Sequence, residues 1–148
     1  MGRVKIKFPI EKSLHIASIP VRIGDINYGG HVGNDAILSI IHEARMLMLQ
    51  HSGYSEMNAG GNSMIMADVM IAYKGEAFYG DNLTVTMYAE EITDRTFDLL
   101  YHISASRKEQ NYDIAHAKTG MVCFDYETRK VAVMTEELKN FLSATPKK

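Results

Sequence analysis

Between Asp25 and Asp35 the chain reads Asp-Ile-Asn-Tyr-Gly-Gly-His-Val-Gly-Asn-Asp, a concentration of proton acceptors and hydrogen-bonding groups just ahead of an apolar run with helical spacing. Asp25 and His31 are groups that can take a proton from water. Asn27 offers a carbonyl oxygen and an amide, so it can position a water molecule without deprotonating it. Gly33-Asn34-Asp35 opens the predicted helix, where unpaired backbone N–H groups and a partial positive charge suit the Asn34 N–H to hold a developing oxyanion. The side chain of Asn34 or Asp35 also suits the helix N-cap. These are ingredients of hydrolysis at a carbonyl, with one gap: Asn27 stands where such chemistry wants an acid. Asp68 is a second candidate acid. It interrupts the alternating face Met64-Met66-Asp68-Met70, an apolar lining in which a buried carboxyl would have a raised pKa. Asp25, which shares a side with Asn27 if the chain is extended there, is favoured over Asp68.

The elements that must position these groups follow from periodicity. Residues 14–24 are rich in isoleucine and valine and read as a strand, with Pro20 placing it at an edge or a bulge. Ile37, Ile40, Ile41, Ala44 and Met48 recur at helical spacing, and Leu38, Leu47 and Leu49 widen the stripe into a mostly buried helix that Gly53 ends. Glu43 lies nine residues into it, about 13 Å from its start, too far to share the Asn34 site within one subunit. A flexible loop is expected at 58–62. Strands are expected at 63–73, 82–92, 96–108 and 113–126, with turns at Gly80-Asp81 and Thr93-Asp94. Thr128-Arg129 turns the chain into a short strand at 131–134, and a last helix runs from Thr135 to Ser143. This is an α+β plan, an antiparallel sheet curling around one long helix in a single domain over 1–148. Its unused sheet face and edge call for a second copy.

Composition narrows the classes. Sixteen basic against 18 acidic residues give a formal net charge of −2, without the basic patch of a nucleic-acid binder. No apolar run is long enough to cross a bilayer and no signal-peptide arrangement is present, so no membrane association is expected. One cysteine, Cys123, suits a reducing cytoplasm and reads as a packed apolar side chain. The six histidines are scattered, and no metal-ligand spacing occurs, so no metal is expected.

Three motifs carry a resemblance. Arg22, Asp25, Asn27, Gly30, His31, Val32, Gly33 and Asn34 match a pattern Arg-x-x-Asp-x-Asp-x-x-Gly-His-Val-Asn-Asn; His42-Glu43-Ala44-Arg45 matches a helix signature; and Tyr73 with Gly80-Asp81-Asn82-Leu83-Thr84-Val85 matches a Tyr followed by Gly-Asp-x-Leu-x-Val. In these the chain resembles the hotdog-fold acyl-CoA thioesterases of the 4-hydroxybenzoyl-CoA thioesterase-like branch. The resemblance implies the hotdog fold and hydrolysis of an acyl-CoA or acyl-carrier-protein thioester, with coenzyme A as part of the substrate and no other cofactor. It also implies a homodimer or homotetramer. The family's catalytic acid falls at Asn27, Gly33 replaces the pattern's first Asn, and the family's histidine at position 31 is commonly a structural anchor. Tyr73, Lys74 and Arg95 fall where resembling enzymes contact the nucleotide. The missing acid keeps a second class open, a non-catalytic acyl-thioester binding module. A third, a hotdog hydratase or dehydratase, is weakened by the absence of a His-Phe-Pro-Gly segment.

Overall fold

The computed structural model describes residues 2–10 and 13–143. The strands are β1 (His15–Pro20), β2 (Ser63–Tyr73), β3 (Asn82–Glu90), β4 (Thr96–Arg107), β5 (Gln110–Asp125) and the two-residue β6 (Lys130–Val131); the helices are α1 (Asn34–His51) and α2 (Glu136–Ser143). All strand pairs are antiparallel, in the order β1-β3-β4-β5-β2, with β6 on β5. β1 and β2 are therefore the edges.

Period-two patterning decides which face meets the helix. Leu83, Val85 and Met87 of β3, Phe97, Leu99, Tyr101 and Ile103 of β4, and Ala115, Ala117, Met121 and Cys123 of β5 are buried, and they form one core with Ile37, Ile40, Ile41, Ala44, Met48 and Leu49 of α1. Each large apolar side chain so enclosed contributes roughly 1.5–3 kcal/mol. One charge enters this core. Arg45 is buried, and its guanidinium donates to Glu56 Oε2 at 3.3 Å and to Tyr101 Oη at 3.2 Å, while Tyr101 Oη shares a 2.8 Å hydrogen bond with Thr119 Oγ1. Burial raises the Tyr101 phenol above its usual range, so the hydroxyl stays neutral. The 18 residues of α1 span about 27 Å. Gly53 at φ 78° ends it, its N–H donating to Gln50 O at 3.0 Å while Tyr54 N–H donates to Leu49 O at 2.8 Å.

Several expectations are corrected. The N-cap of α1 is Gly33, not Asn34 or Asp35, and no side chain caps the helix. The first strand stops at Pro20, and a 3₁₀ turn at Ile23–Asp25 follows, so Asp25 is not on an extended segment with Asn27. The segment 58–62 is not a free loop. Asn62 Oδ1 accepts from Thr135 N–H at 2.8 Å, Asn62 Nδ2 donates to Val133 O at 3.1 Å, and Thr135 Oγ1 donates to Gly60 O at 2.7 Å, clamping the turn beneath α2. The strand expected at 131–134 is only Lys130–Val131. In β2 the register shifts between Met66 and Asp68, which places Asp68 on the exposed side. The histidines are not all scattered in space either: His102 of β4 lies directly opposite His116 of β5.

Candidate active site

The segment from Arg22 to Asn34 is folded by its own polar groups. Asp25 Oδ2 accepts the Arg22 N–H at 2.8 Å, the Arg22 guanidinium lies 3.4 Å from Oδ1, and the Asp25 carbonyl accepts the Gly33 N–H at 3.0 Å. Ile26 and Val32 then bridge as a miniature antiparallel pair, with Asn27 N–H donating to His31 O at 2.9 Å. Between them Gly30, at φ 83°, takes a turn conformation that side chains resist, and the Asn27 side-chain oxygen accepts the Gly29 N–H at 2.9 Å. His31 Nδ1 lies 3.0 Å from Val32 O. A carbonyl only accepts, so the imidazole carries a proton on Nδ1 and, when neutral, leaves the Nε2 lone pair free. The side chains of Asn27 and His31 converge: a Cβ placed on Gly29 would sit 3.2 Å from Asn27 Oδ1 and 3.4 Å from His31 Nε2.

At the start of α1 the Gly33 N–H is taken by Asp25, and the Ala36 and Ile37 N–H groups donate to Gly33 O at 3.0 and 3.3 Å. The N–H groups of Asn34 and Asp35 have no protein acceptor among the described residues. They are orphan donors at the positive end of the helix dipole. A cleft of about 290 Å³ opens there, lined by His31, Asn34, Ile37, Tyr73, Lys74 and Glu76 among others. Tyr73 Oη donates to Asn34 O at 3.2 Å, fixing the helix start against the end of β2, and Glu76 Oε1 lies 3.9 Å from His31 Nε2.

The residues singled out from sequence are only partly brought together. His31, Asn34, Tyr73 and Lys74 line this cleft, with Asn27 beside His31. Asp25 is buried and lines a separate depression with Gly24, Asp35 and Ser39. Asp68 is solvent-facing rather than buried, accepting the Gly120 N–H at 3.0 Å with Lys118 Nζ 3.4 Å away. Arg95 is at the opposite end of the sheet. Its carbonyl accepts from Cys123 N–H, whereas Tyr73 pairs with Ala115, and the eight residues between those points of β5 span about 27 Å. Glu76 was missed. Its only signal is an acid in the loop just after the Tyr73-Lys74 strand end. Cys123 is buried, and burial raises its thiol above the usual range, which makes it a poor nucleophile.

A larger cavity of about 560 Å³ runs along α1 beside β2, lined by Leu38, Ser39, Met64, Ile65 and Met66 and by a polar group in which His42 Nε2 is 2.7 Å from Glu56 Oε1. Its walls are apolar and, at the methionines, adaptable.

An antiparallel sheet around a central helix is the hotdog arrangement, and here the helix start at Asn34 shares a cleft with His31. The chain belongs to the thioesterase-like superfamily, whose family model matches residues 21–142. It is similar to a 1,4-dihydroxy-2-naphthoyl-CoA hydrolase of Rippkaea orientalis, 26% identical over 128 residues that cover 84% of this chain and 92% of that protein. It is also similar to a long-chain acyl-CoA thioesterase of Escherichia coli, 27% identical over 125 residues covering 84% and 93% respectively. The fold matches the crystal structure of a 1,4-dihydroxy-2-naphthoyl-CoA thioesterase from Synechocystis with a TM-score of 0.75, at 23% identity over 86% of this chain and 94% of that one.

Proposed function

We propose that this protein hydrolyses acyl-CoA thioesters to a free acid and coenzyme A, using the N-terminus of α1 as its oxyanion site. The observation that carries this reading is the Asn34 N–H, without a protein acceptor among the described residues, at the cleft that His31 also lines. The thioester oxygen accepts from the Asn34 N–H, where the negative charge of the tetrahedral intermediate is held by donors already in place. Asn27 orients the attacking water. His31 Nε2 takes the water's proton as the hydroxyl adds to the carbonyl carbon; the C–S bond then breaks, and the imidazolium returns the proton to the departing thiolate. Glu76 faces the imidazolium and favours it while it carries charge. Asp25 and Asp68 are less suited to be the base, since the first is bound to Arg22 and the second to Gly120 and Lys118. No cofactor enters these steps.

The carrier side of the substrate rests on Lys74 at the cleft, and Arg95 serves only a nucleotide reaching it from a neighbouring copy. The cavity along α1 and β2 is suited to an acyl group, aromatic or long-chain as in the relatives named above. The second copy pairs along the free edge of β2, where Met66, Met70 and Tyr73 are exposed, giving a dimer or a pair of dimers in the cytoplasm. Among the described residues no helix is long and apolar enough to cross a membrane. One observation favours a second reading: Asn27 removes the family's acid, and if His31 does not replace it the site binds acyl thioesters without cleaving them. Steady-state thiol release from a panel of acyl-CoA esters separates the two, because the binding module would protect thioesters it retains.

A further inference from the structure

On the outer face of the sheet, away from α1, three potential metal ligands converge. His102 of β4 and His116 of β5 are cross-strand partners, and both belong to the face opposite the core. Asp113 is three residues from His116, a spacing that in a regular strand would send it to the other face. A bulge alters this. The register shifts between Ile103, opposite Ala115, and Ser104, opposite Asp113; Ile114 is the extra residue, and Asp113 returns to the histidine side. His102 Nε2 then lies 2.7 Å from Asp113 Oδ1 and His116 Nε2 lies 3.1 Å from Asp113 Oδ2, with one ligand atom from each residue within 4.8 Å of the others. The rings are walled by Phe8 of the N-terminal segment, centred 5.2 Å from His102 and 5.0 Å from His116, and Phe8 packs on Tyr88 at 5.4 Å.

We propose that His102, Asp113 and His116 form a site for a divalent transition-metal ion of the zinc type, held by two imidazole Nε2 atoms and one carboxylate oxygen, with Phe8 covering it. Two nitrogens and one oxygen with a fourth position left to water is a donor set that zinc, cobalt and nickel accept, and that calcium and magnesium, which take oxygen ligands, do not. Bonds of 2.0–2.2 Å in a tetrahedron place ligand atoms about 3.3 Å apart, so each imidazole nitrogen, now 2.7 or 3.1 Å from an Asp113 oxygen, opens slightly from the carboxylate to admit the ion. Binding displaces the Nε2 protons that face Asp113, leaving each neutral ring protonated on Nδ1 with its Nε2 lone pair turned to the metal. The ion would fasten more than a hairpin. Ile114 O accepts from Lys74 N–H at 2.9 Å and from Gly75 N–H at 3.2 Å, so clamping Asp113 also steadies the strand end that carries Tyr73, Lys74 and Glu76.

The test needs no enzymatic readout. The full chain is stripped with a chelator and titrated with Zn²⁺ by calorimetry and with Co²⁺ by visible absorption. One equivalent per chain is expected, with the intense visible bands of four-coordinate cobalt. His102→Gln, His116→Gln and Asp113→Asn, each at a position with some solvent access and each checked for native circular dichroism, should weaken binding at least about 100-fold. His51→Ala is the control. It removes one member of another close pair, whose rings are 5.3 Å apart at His15 and His51, and should leave binding intact. No binding by the folded wild type, a six-coordinate cobalt spectrum, binding undiminished in the two His→Gln variants, or binding abolished by His51→Ala would each overturn the assignment.

Discussion

Asn27 is the residue on which the chemistry turns, because an amide in place of a carboxylate moves the burden of taking a proton elsewhere. On the proposed mechanism the group that takes it is His31 Nε2, whose lone pair is left free by the hydrogen bond from Nδ1 to Val32 O. His31→Gln should therefore lower kcat by 10²–10⁴-fold, the usual worth of a general base, with little effect on folding. Asp25→Asn should leave kcat within a few-fold of wild type, because the Asp25 carboxylate works inside the loop by accepting the Arg22 N–H. Steady-state rates for the two variants check both halves. The reverse order of effects would return the role of base to Asp25. Neither the uncapped start of α1 nor the pairing of Asn27 with His31 was legible in the residues, because the 3₁₀ turn at Ile23–Asp25 and the Ile26–Val32 bridge set them; the helix start near Asn34 was legible. Glu76 was not. It is distant in sequence, and its loop is brought to the helix by the hydrogen bonds from Val32 N–H to Ala77 O and from Tyr73 Oη to Asn34 O.

The succession of strands along the chain, the long helix and the sides of β3 and β4 follow the periodicity of apolar residues, and the structure agrees with them to within a few residues at each end. Alternation fails where a bulge adds a residue. The shift at Met66/Asp68 turns an acid expected among methionines out to solvent, and the shift at Ile103/Ser104 collects His102, Asp113 and His116 on one face. Neither bulged segment carries a glycine or proline of its own, and Gly120, opposite Asp68, lies on the partner strand, so parity is lost without a signal in the bulged strand. Between elements, the Arg107 guanidinium of β4 donates to Asp81 at 2.9 and 2.6 Å and to Glu76 O at 2.7 Å, tying the sheet to the turn before β3. These bonds hold the Asp81 carboxyl below its usual range. A depressed carboxyl contributes stability that is present above the ordinary aspartate value and lost as pH falls through the depressed one. Arg107→Gln should thus cost about 1.5–3 kcal/mol at neutral pH, where charge-assisted bonds are lost, and the gap to wild type should narrow in acid. Urea unfolding at the two pH values measures it; a gap that is constant with pH would mean that the stacking of Arg107 on Phe78 and Tyr112, not its charge, carries the effect.

For the whole molecule, the sheet has a closed and an open aspect: one face is filled by α1, while β2 ends it with an unpaired edge and exposed methionines. Light scattering at micromolar concentration should give twice or four times the 16.6 kDa chain mass, and a monomer would remove any role for Arg95 in a neighbour's site. An edge that suits a second copy was readable from the strand pattern, but the distance between Lys74 and Arg95 was not, because it emerges only once the register of β5 is known. The central claim is that the helix N-terminus at Asn34 supports cleavage despite Asn27. It is tested most directly by measuring coenzyme A thiol release by the wild-type protein across aromatic, short-chain and long-chain acyl-CoA esters. Saturable turnover well above the uncatalysed rate for at least one class is the expected result, and binding of these esters with no thiol released from any of them would contradict the account.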